Sequence, residues 1–205
     1  FARIVTGNID IRNTQAGISL ANNIFNIRNL RTRAFDGRVR GNISMNLITS
    51  LLNIRLTGRG IDVEKALLDA AGMKDTLSGT AAFETDISLK GATYEEQMRS
   101  LKGTVGFDVR NGQFGPFGKL ENLIIAENIR ESQLFQTALG GVISGLTTID
   151  TTHFSELKGT LSFNDGICNL KPVTSLGNIL SLHIAGEFDL LRNYADMKVR
   201  ARMAS

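Results

Sequence analysis

The titratable side chains that catalysis would need are few and scattered in this sequence. His153 stands in a predicted Thr-rich turn, and His183 lies on the polar face of a predicted strand. Enzymes gather such groups in one cluster, where a base can activate a nucleophile. Ser155 and Ser162 lack the strand–turn–helix context of a hydrolase nucleophile. We therefore predict that the chain is not an enzyme and has no catalytic residues.

Phosphate-binding and metal-binding patterns are also missing from the sequence. Residues 112–119 read GQFGPFGK, but Leu120 follows the lysine where a phosphate-binding loop needs Ser or Thr. We interpret this stretch as an ordinary loop. Asp and Glu are spread along predicted polar faces without metal-ligand spacing. Cys168, the only cysteine, is interpreted as a small core residue. No cofactor and no metal are predicted.

The charge of the chain is mildly basic and locally concentrated. Its 205 residues carry a net charge of +3, and 42% of them are hydrophobic, which is ordinary for a globular protein. The net positive charge is small, and most Phe residues stand at predicted strand positions that are expected to be buried. Both features argue against nucleic-acid binding. A basic stretch has two interpretations, a solvated strand face that discourages edge pairing or contact with anionic lipid headgroups. It consists of Arg28, Arg31, Arg33, Arg38 and Arg40.

Alternation of apolar and polar residues dominates the chain. The alternating runs cover residues 38–47, 52–57, 77–90, 180–190 and 197–203. This period of two predicts strands with one apolar and one solvated face, and hence an antiparallel sheet. We predict a mainly β fold with two or three helices, a long twisted sheet curled around its apolar face. Since the chain opens inside a strand-like pattern, we expect it to be a piece of a longer protein.

A short motif, L-[SK]-G-T-x-x-F, occurs at residues 77–83, 101–107 and 157–163. Its Leu, Gly and Phe share one strand parity, so Phe83, Phe107 and Phe163 are expected to be buried on a common face. Repetition of one strand unit favours an extended sheet built from repeats. The inward glycines have two interpretations, close packing or bending of the strand, or space for an acyl chain.

Helix signals occur at three places. One helix is predicted between the N-cap Asp62 and Gly72, with Leu67, Leu68 and Ala71 as its apolar residues. A second begins with the capping box of Thr93 and Glu96. Its predicted apolar stripe consists of Tyr94, Met98 and Leu101. A third helical zone covers about residues 118–146. The single domain thus divides into strands (1–60), helix–strand–helix–strand (61–112), a mostly helical insertion (113–150) and terminal strands (151–205).

The motifs and their order resemble the C-terminal region of AsmA-like proteins. The L-K-G-T-x-x-F strands are followed by NG at residues 111–112 and DG at 165–166, and GEFDL stands at 186–190. The resemblance covers most of the chain and is strongest from about 57 to 203. Members of that family are similar to bacterial bridge-like lipid transfer proteins, in which a curved sheet forms an apolar groove. The resemblance implies a periplasmic location, with an inner-membrane anchor outside this chain.

The function implied by the resemblance is to bind or conduct phospholipid between the inner and outer membranes, or to support outer-membrane assembly. Phospholipid acyl chains and other envelope proteins are the expected partners, and nucleic acid is not. The candidate lipid-facing residues are Phe83, Ile87, Val105, Phe107, Val109, Leu161, Phe163, Leu182, Ile184 and Phe188. The alternative is a structural scaffold or protein-interaction module whose own side chains close the sheet.

Overall fold

A computed structural model of the chain describes residues 3–6, 9–75, 77–114, 153–177, 180–192 and 194–203. The first five strands are β1 (Arg3–Thr6), β2 (Ile9–Ala21), β3 (Ile24–Ala34), β4 (Gly37–Asn46) and β5 (Leu51–Asp62). Helix α1 (Val63–Ala71), β6 (Leu77–Leu89), α2 (Tyr94–Ser100) and β7 (Lys102–Phe114) follow. The last four strands are β8 (His153–Asn164), β9 (Ile167–Gly177), β10 (Leu180–Asp189) and β11 (Tyr194–Met203).

All eleven strands form one antiparallel sheet whose order in space equals their order in sequence. Each strand is hydrogen-bonded only to its neighbours in the chain, and in the described residues β1 and β11 form the two edges. The predicted fold class, mainly β with a few helices in a curled antiparallel sheet, is confirmed. The third predicted helical zone, residues 118–146, lies outside the described residues. The predicted insertion began at residue 113, whereas β7 continues to Phe114.

Several strands contain a β-bulge, which interrupts the period of two. Asn29 in β3, Gly60 in β5 and Asn111 in β7 have positive φ angles of 54°, 68° and 49° at points where the register shifts. A bulge adds one residue to a strand and increases its local twist. Ile61 is therefore only 4% exposed, although strict alternation from Leu56 would place it on the polar face.

Helix α1 covers part of the apolar face. The Asp62 side chain accepts a hydrogen bond from the Lys65 backbone N–H at 3.0 Å, which caps the helix as predicted. Gly72, with φ 67°, ends the helix in the left-handed conformation. Leu68, one of the apolar residues of the helix, is 40% exposed.

Two small core clusters lie where α1 meets the sheet. The first consists of Val63, Val109, Phe154, Leu157 and Val173, with Leu67 packed against it. The second consists of Ala34, Val39 and Ile61, with Ala66 packed against it. Both clusters thus combine α1 residues with inward residues of the sheet, and they define the covered part of the apolar face.

Helix α2 connects β6 to β7 at the opposite end of the strands from α1. Its capping box is confirmed, since Thr93 Oγ1 accepts from the Glu96 N–H and the Glu96 carboxylate accepts from the Thr93 N–H. The backbone N–H of Ala92 also donates a hydrogen bond to the Glu96 carboxylate. The bonds from Ala92 and Thr93, that from Ala92 first, lower the pKa of Glu96. The predicted apolar stripe is wrong at Tyr94, which is 68% exposed. Leu101, just after the helix, is buried.

Candidate functional site: the apolar face of the sheet

The ten candidate lipid-facing residues lie on one face of the sheet. Strand pairing places them there, because residues directly opposite each other point to the same side. The pairs are Phe83–Phe107, Ile87–Gly103, Gly103–Phe163, Val105–Leu161, Val109–Leu157, Phe163–Cys168, Cys168–Phe188, Val173–Ile184 and Ser175–Leu182. Contact of lipid with these residues stays a prediction.

The phenylalanines of the L-[SK]-G-T-x-x-F motif are less buried than the sequence predicts. Phe83, Phe107 and Phe163 share the face, as their parity predicted, but all three are only half-buried. Phe83 packs against the second cluster and Phe107 against the first, whereas Phe163 belongs to neither.

Protein atoms occupy the space beside the inward glycines of the repeat. A side chain at Gly103, which has φ 122°, would strike the carbonyl oxygen of Asp86. A Cβ at Gly159 would lie 2.9 Å from the Phe107 ring and would also strike Val173. These contacts favour the packing interpretation of the glycines over space for an acyl chain.

An open part of the apolar face extends over β2 to β6. Two rows of directly opposed residues cross these strands, and we call them the open apolar rows. The first is Ile18, Ile27, Ile43, Ile54 and Ile87, and the second is Leu20, Phe25, Met45, Leu52 and Leu89. Ile18 is 61% and Leu20 is 64% exposed. Each row crosses five neighbouring strands that lie about 4.8 Å apart, so it extends about 19 Å across the sheet.

Of the open apolar rows, only Ile87 is among the ten candidate lipid-facing residues. The alternation in the sequence predicts inward positions in β4 and β5, among them Ile43 and Ile54. What the sequence does not reveal is where α1 lies, and therefore which inward residues remain uncovered. Three of the ten residues of the open apolar rows are exposed and the other seven are half-buried. A contiguous apolar surface that the protein covers incompletely is typical of a ligand groove or an interaction surface.

Polar side chains also lie on the apolar face, among them Cys168, Thr85 and the buried Ser175. Cys168 is buried between Phe163 and Phe188, as predicted for a core residue, and burial raises the pKa of its thiol. Thr85 lies between Leu56 and Val105. Its hydroxyl is buried and has no hydrogen-bond partner in the part of the chain that the structure describes.

Replacing Thr85 with valine is expected to raise the free energy of unfolding by about 1 kcal/mol, because it removes a buried hydroxyl without a partner. Chemical denaturation of the variant and the native chain measures the difference. Thr104→Val on the neighbouring strand is the control, since Thr104 is exposed on the polar face. A loss of stability in Thr85→Val alone would show that the hydroxyl is satisfied.

The structure does not bring the histidines and serines together into a cluster. His183 is exposed on the polar face, as predicted, and His153 is the first residue of β8 rather than part of a turn. Among the described residues, no group of three or more His, Cys, Asp or Glu side chains could hold a metal ion. In the same residues, no helix has the length and apolar character needed to cross a membrane.

Comparison with models of protein families, with curated proteins and with solved structures gave no match for this chain. The resemblance to AsmA-like proteins therefore stays a prediction.

Proposed function

We propose that this chain binds phospholipid acyl chains on its apolar face, as the periplasmic part of an envelope protein. In that role it conducts phospholipid between the inner and outer membranes or supports outer-membrane assembly. The observation that carries the proposal is the open apolar rows, which lie on the same face as the ten candidate residues. Helix α1 covers only one end of that face.

The energetics support an apolar occupant. Removing apolar surface from water is favourable by roughly 25 cal/mol per Å². Ile18, Leu20 and Met45 each expose more than a third of their surface. An acyl chain lying along the open apolar rows would remove this surface from water without a polar partner. A charged headgroup would stay in solvent beside an open sheet.

The alternative function is a scaffold or protein-interaction module. The core clusters beneath α1 favour it, because protein packing closes that part of the sheet. In this case the open apolar rows would contact another protein. Capture of phospholipid from this face would distinguish lipid binding from contact with another protein.

Photocrosslinking in the full-length protein tests the proposed function. Ile54 belongs to the open apolar rows, and the next residue, Arg55, points to the opposite face of the same strand. A crosslinker at each position therefore probes one face of the sheet. We expect phospholipid to be captured from Ile54 and not from Arg55. Capture of protein alone from Ile54 would favour the scaffold.

Charge on the apolar face is expected to block lipid passage. Val105→Asp and Ile54→Asp each place an unpaired carboxylate among apolar groups, which is costly to bury. Thr104→Asp and Asn53→Asp are matched controls, because each adds the same charge one residue away on the exposed face. We expect loss of phospholipid capture and of envelope lipid traffic in the first pair only. Well-folded Val105→Asp and Ile54→Asp variants with normal traffic would contradict the proposal.

A further inference from the structure

Four arginines lie directly opposite one another on four adjacent strands. Arg33 of β3 is paired with both Arg12 of β2 and Arg38 of β4. Arg38 is paired in turn with Arg59 of β5. All four side chains are exposed on the polar face of the sheet. Strand pairing therefore gathers into one row charges that are far apart in the sequence.

A second row lies two residues further along β3 and β4. It contains Arg31 and Arg40, which are paired with each other and exposed. We call the two rows together the arginine face. With strands about 4.8 Å apart and about 3.4 Å per residue, it extends about 14 Å across the strands and about 7 Å along them.

Five of the six arginines of the arginine face are not neutralised by acidic side chains of the described residues. Within the described residues, Arg31, Arg33, Arg38, Arg40 and Arg59 form no ion pair. Like charges directly opposite each other on paired strands lower the stability of a sheet. The fold therefore carries an unfavourable arrangement that an anionic partner would relieve.

The acidic side chain that lines the arginine face, Asp36, is already paired with another residue. A depression of about 590 Å³ is lined by four arginines of the arginine face together with Thr57 and Asp36. The Asp36 carboxylate already accepts a hydrogen bond from the Lys65 ammonium, and this contact raises the pKa of Lys65. Asp36 is thus engaged by another cation.

We propose that the arginine face docks on the surface of an anionic lipid bilayer. Its guanidinium groups are spread in two dimensions, which suits many phosphate groups side by side, and arginine binds phosphate well. Proteins that bind single-stranded nucleic acid add aromatic platforms for base stacking, and none of the described aromatic residues lines the depression between the arginines. The apolar face lies on the other side of the sheet, so docking leaves it open. This proposal does not rest on the proposed function.

Vesicle binding by the whole chain tests the docking proposal. The vesicles contain phosphatidylglycerol mixed with phosphatidylcholine, and pure phosphatidylcholine vesicles serve as the neutral reference. Each arginine near an anionic surface contributes about fivefold in affinity. The variant Arg33→Gln, Arg38→Gln, Arg40→Gln and Arg59→Gln should therefore bind at least about a hundredfold more weakly.

A matched variant removes four positive charges from exposed positions elsewhere in the sheet. It carries Lys158→Gln, Lys171→Gln, Lys198→Gln and Arg200→Gln. We expect its affinity for the anionic vesicles to fall by less than about fivefold. Lysine at the four arginine positions should keep most of the binding, because a bilayer surface responds to charge.

Three results would overturn the proposal. Equal loss in the two glutamine variants would show that only net charge matters. If the native chain bound neutral vesicles as tightly as anionic vesicles, recognition of charge would be excluded. Binding to duplex DNA without binding to anionic vesicles would assign the arginine face to nucleic acid. Vesicle docking with no lipid capture from Ile54 would contradict the proposed function alone.

Discussion

Replacing Phe154 with alanine is expected to lower the free energy of unfolding by about 3–5 kcal/mol. Phe154 is 4% exposed and belongs to the core cluster beneath α1. Its ring centroid lies 4.8 Å from that of Phe114, and its ring covers Gly112 on the neighbouring strand. The truncation leaves a cavity that neither the strands nor α1 can fill.

Phe163→Ala is the matched control for this prediction. Phe163 lies on the same strand and face but is half-buried and outside both core clusters. Its loss should be smaller, about 1–2 kcal/mol, because less apolar surface is exposed on truncation. Urea denaturation of both variants gives the two values. Equal losses would show that the apolar face at Phe163 is packed as tightly as the core, which favours the scaffold function.

Replacing Gly103 with valine is expected to cost more than about 3 kcal/mol or to prevent folding. Gly103 has φ 122°, where L-residues with a side chain are strained. A Cβ at this position would also strike the Asp86 carbonyl oxygen of β6. Because the obstacle is backbone of a paired strand, it cannot move without loss of the pairing between β6 and β7.

Gly106→Val on the same strand provides the control. The nearest atom to a Cβ at Gly106 is Thr160 Oγ1 at 4.0 Å, and the residue has no positive φ angle. A valine there should leave stability unchanged or raise it by a few tenths of a kcal/mol, since it restricts the unfolded chain. Thermal unfolding of both variants tests the difference. A stable Gly103→Val variant would mean that β7 can adopt an ordinary extended backbone there.

The strands and the helix caps could be predicted because their signals are local. Alternation specified the faces of β4, β6 and β10, and Asp62 and Thr93 marked the two helix starts. The bulges could not be predicted from the period of two. Asn29 and Asn111 disturb the alternation by one residue, and only the pairing with the next strand shows which face continues.

The candidate site was predicted in part for a related reason. Parity places Val105 and Phe107 on one face whatever the neighbouring strands do. Exposure depends on what packs above the face, and helix α1 sits over one end only. The arginine face likewise needed the strand register, because Arg12 and Arg59 join it from outside the basic stretch.

The sequential strand order has a consequence for how such a chain can change over evolution. Since every strand is bonded only to its chain neighbours, duplication or loss of one hairpin changes no other pairing. Each added hairpin would widen the sheet by about 10 Å and extend its apolar side by two strands. A chain built in this way can be fitted to a wider or narrower span without redesign of a closed core.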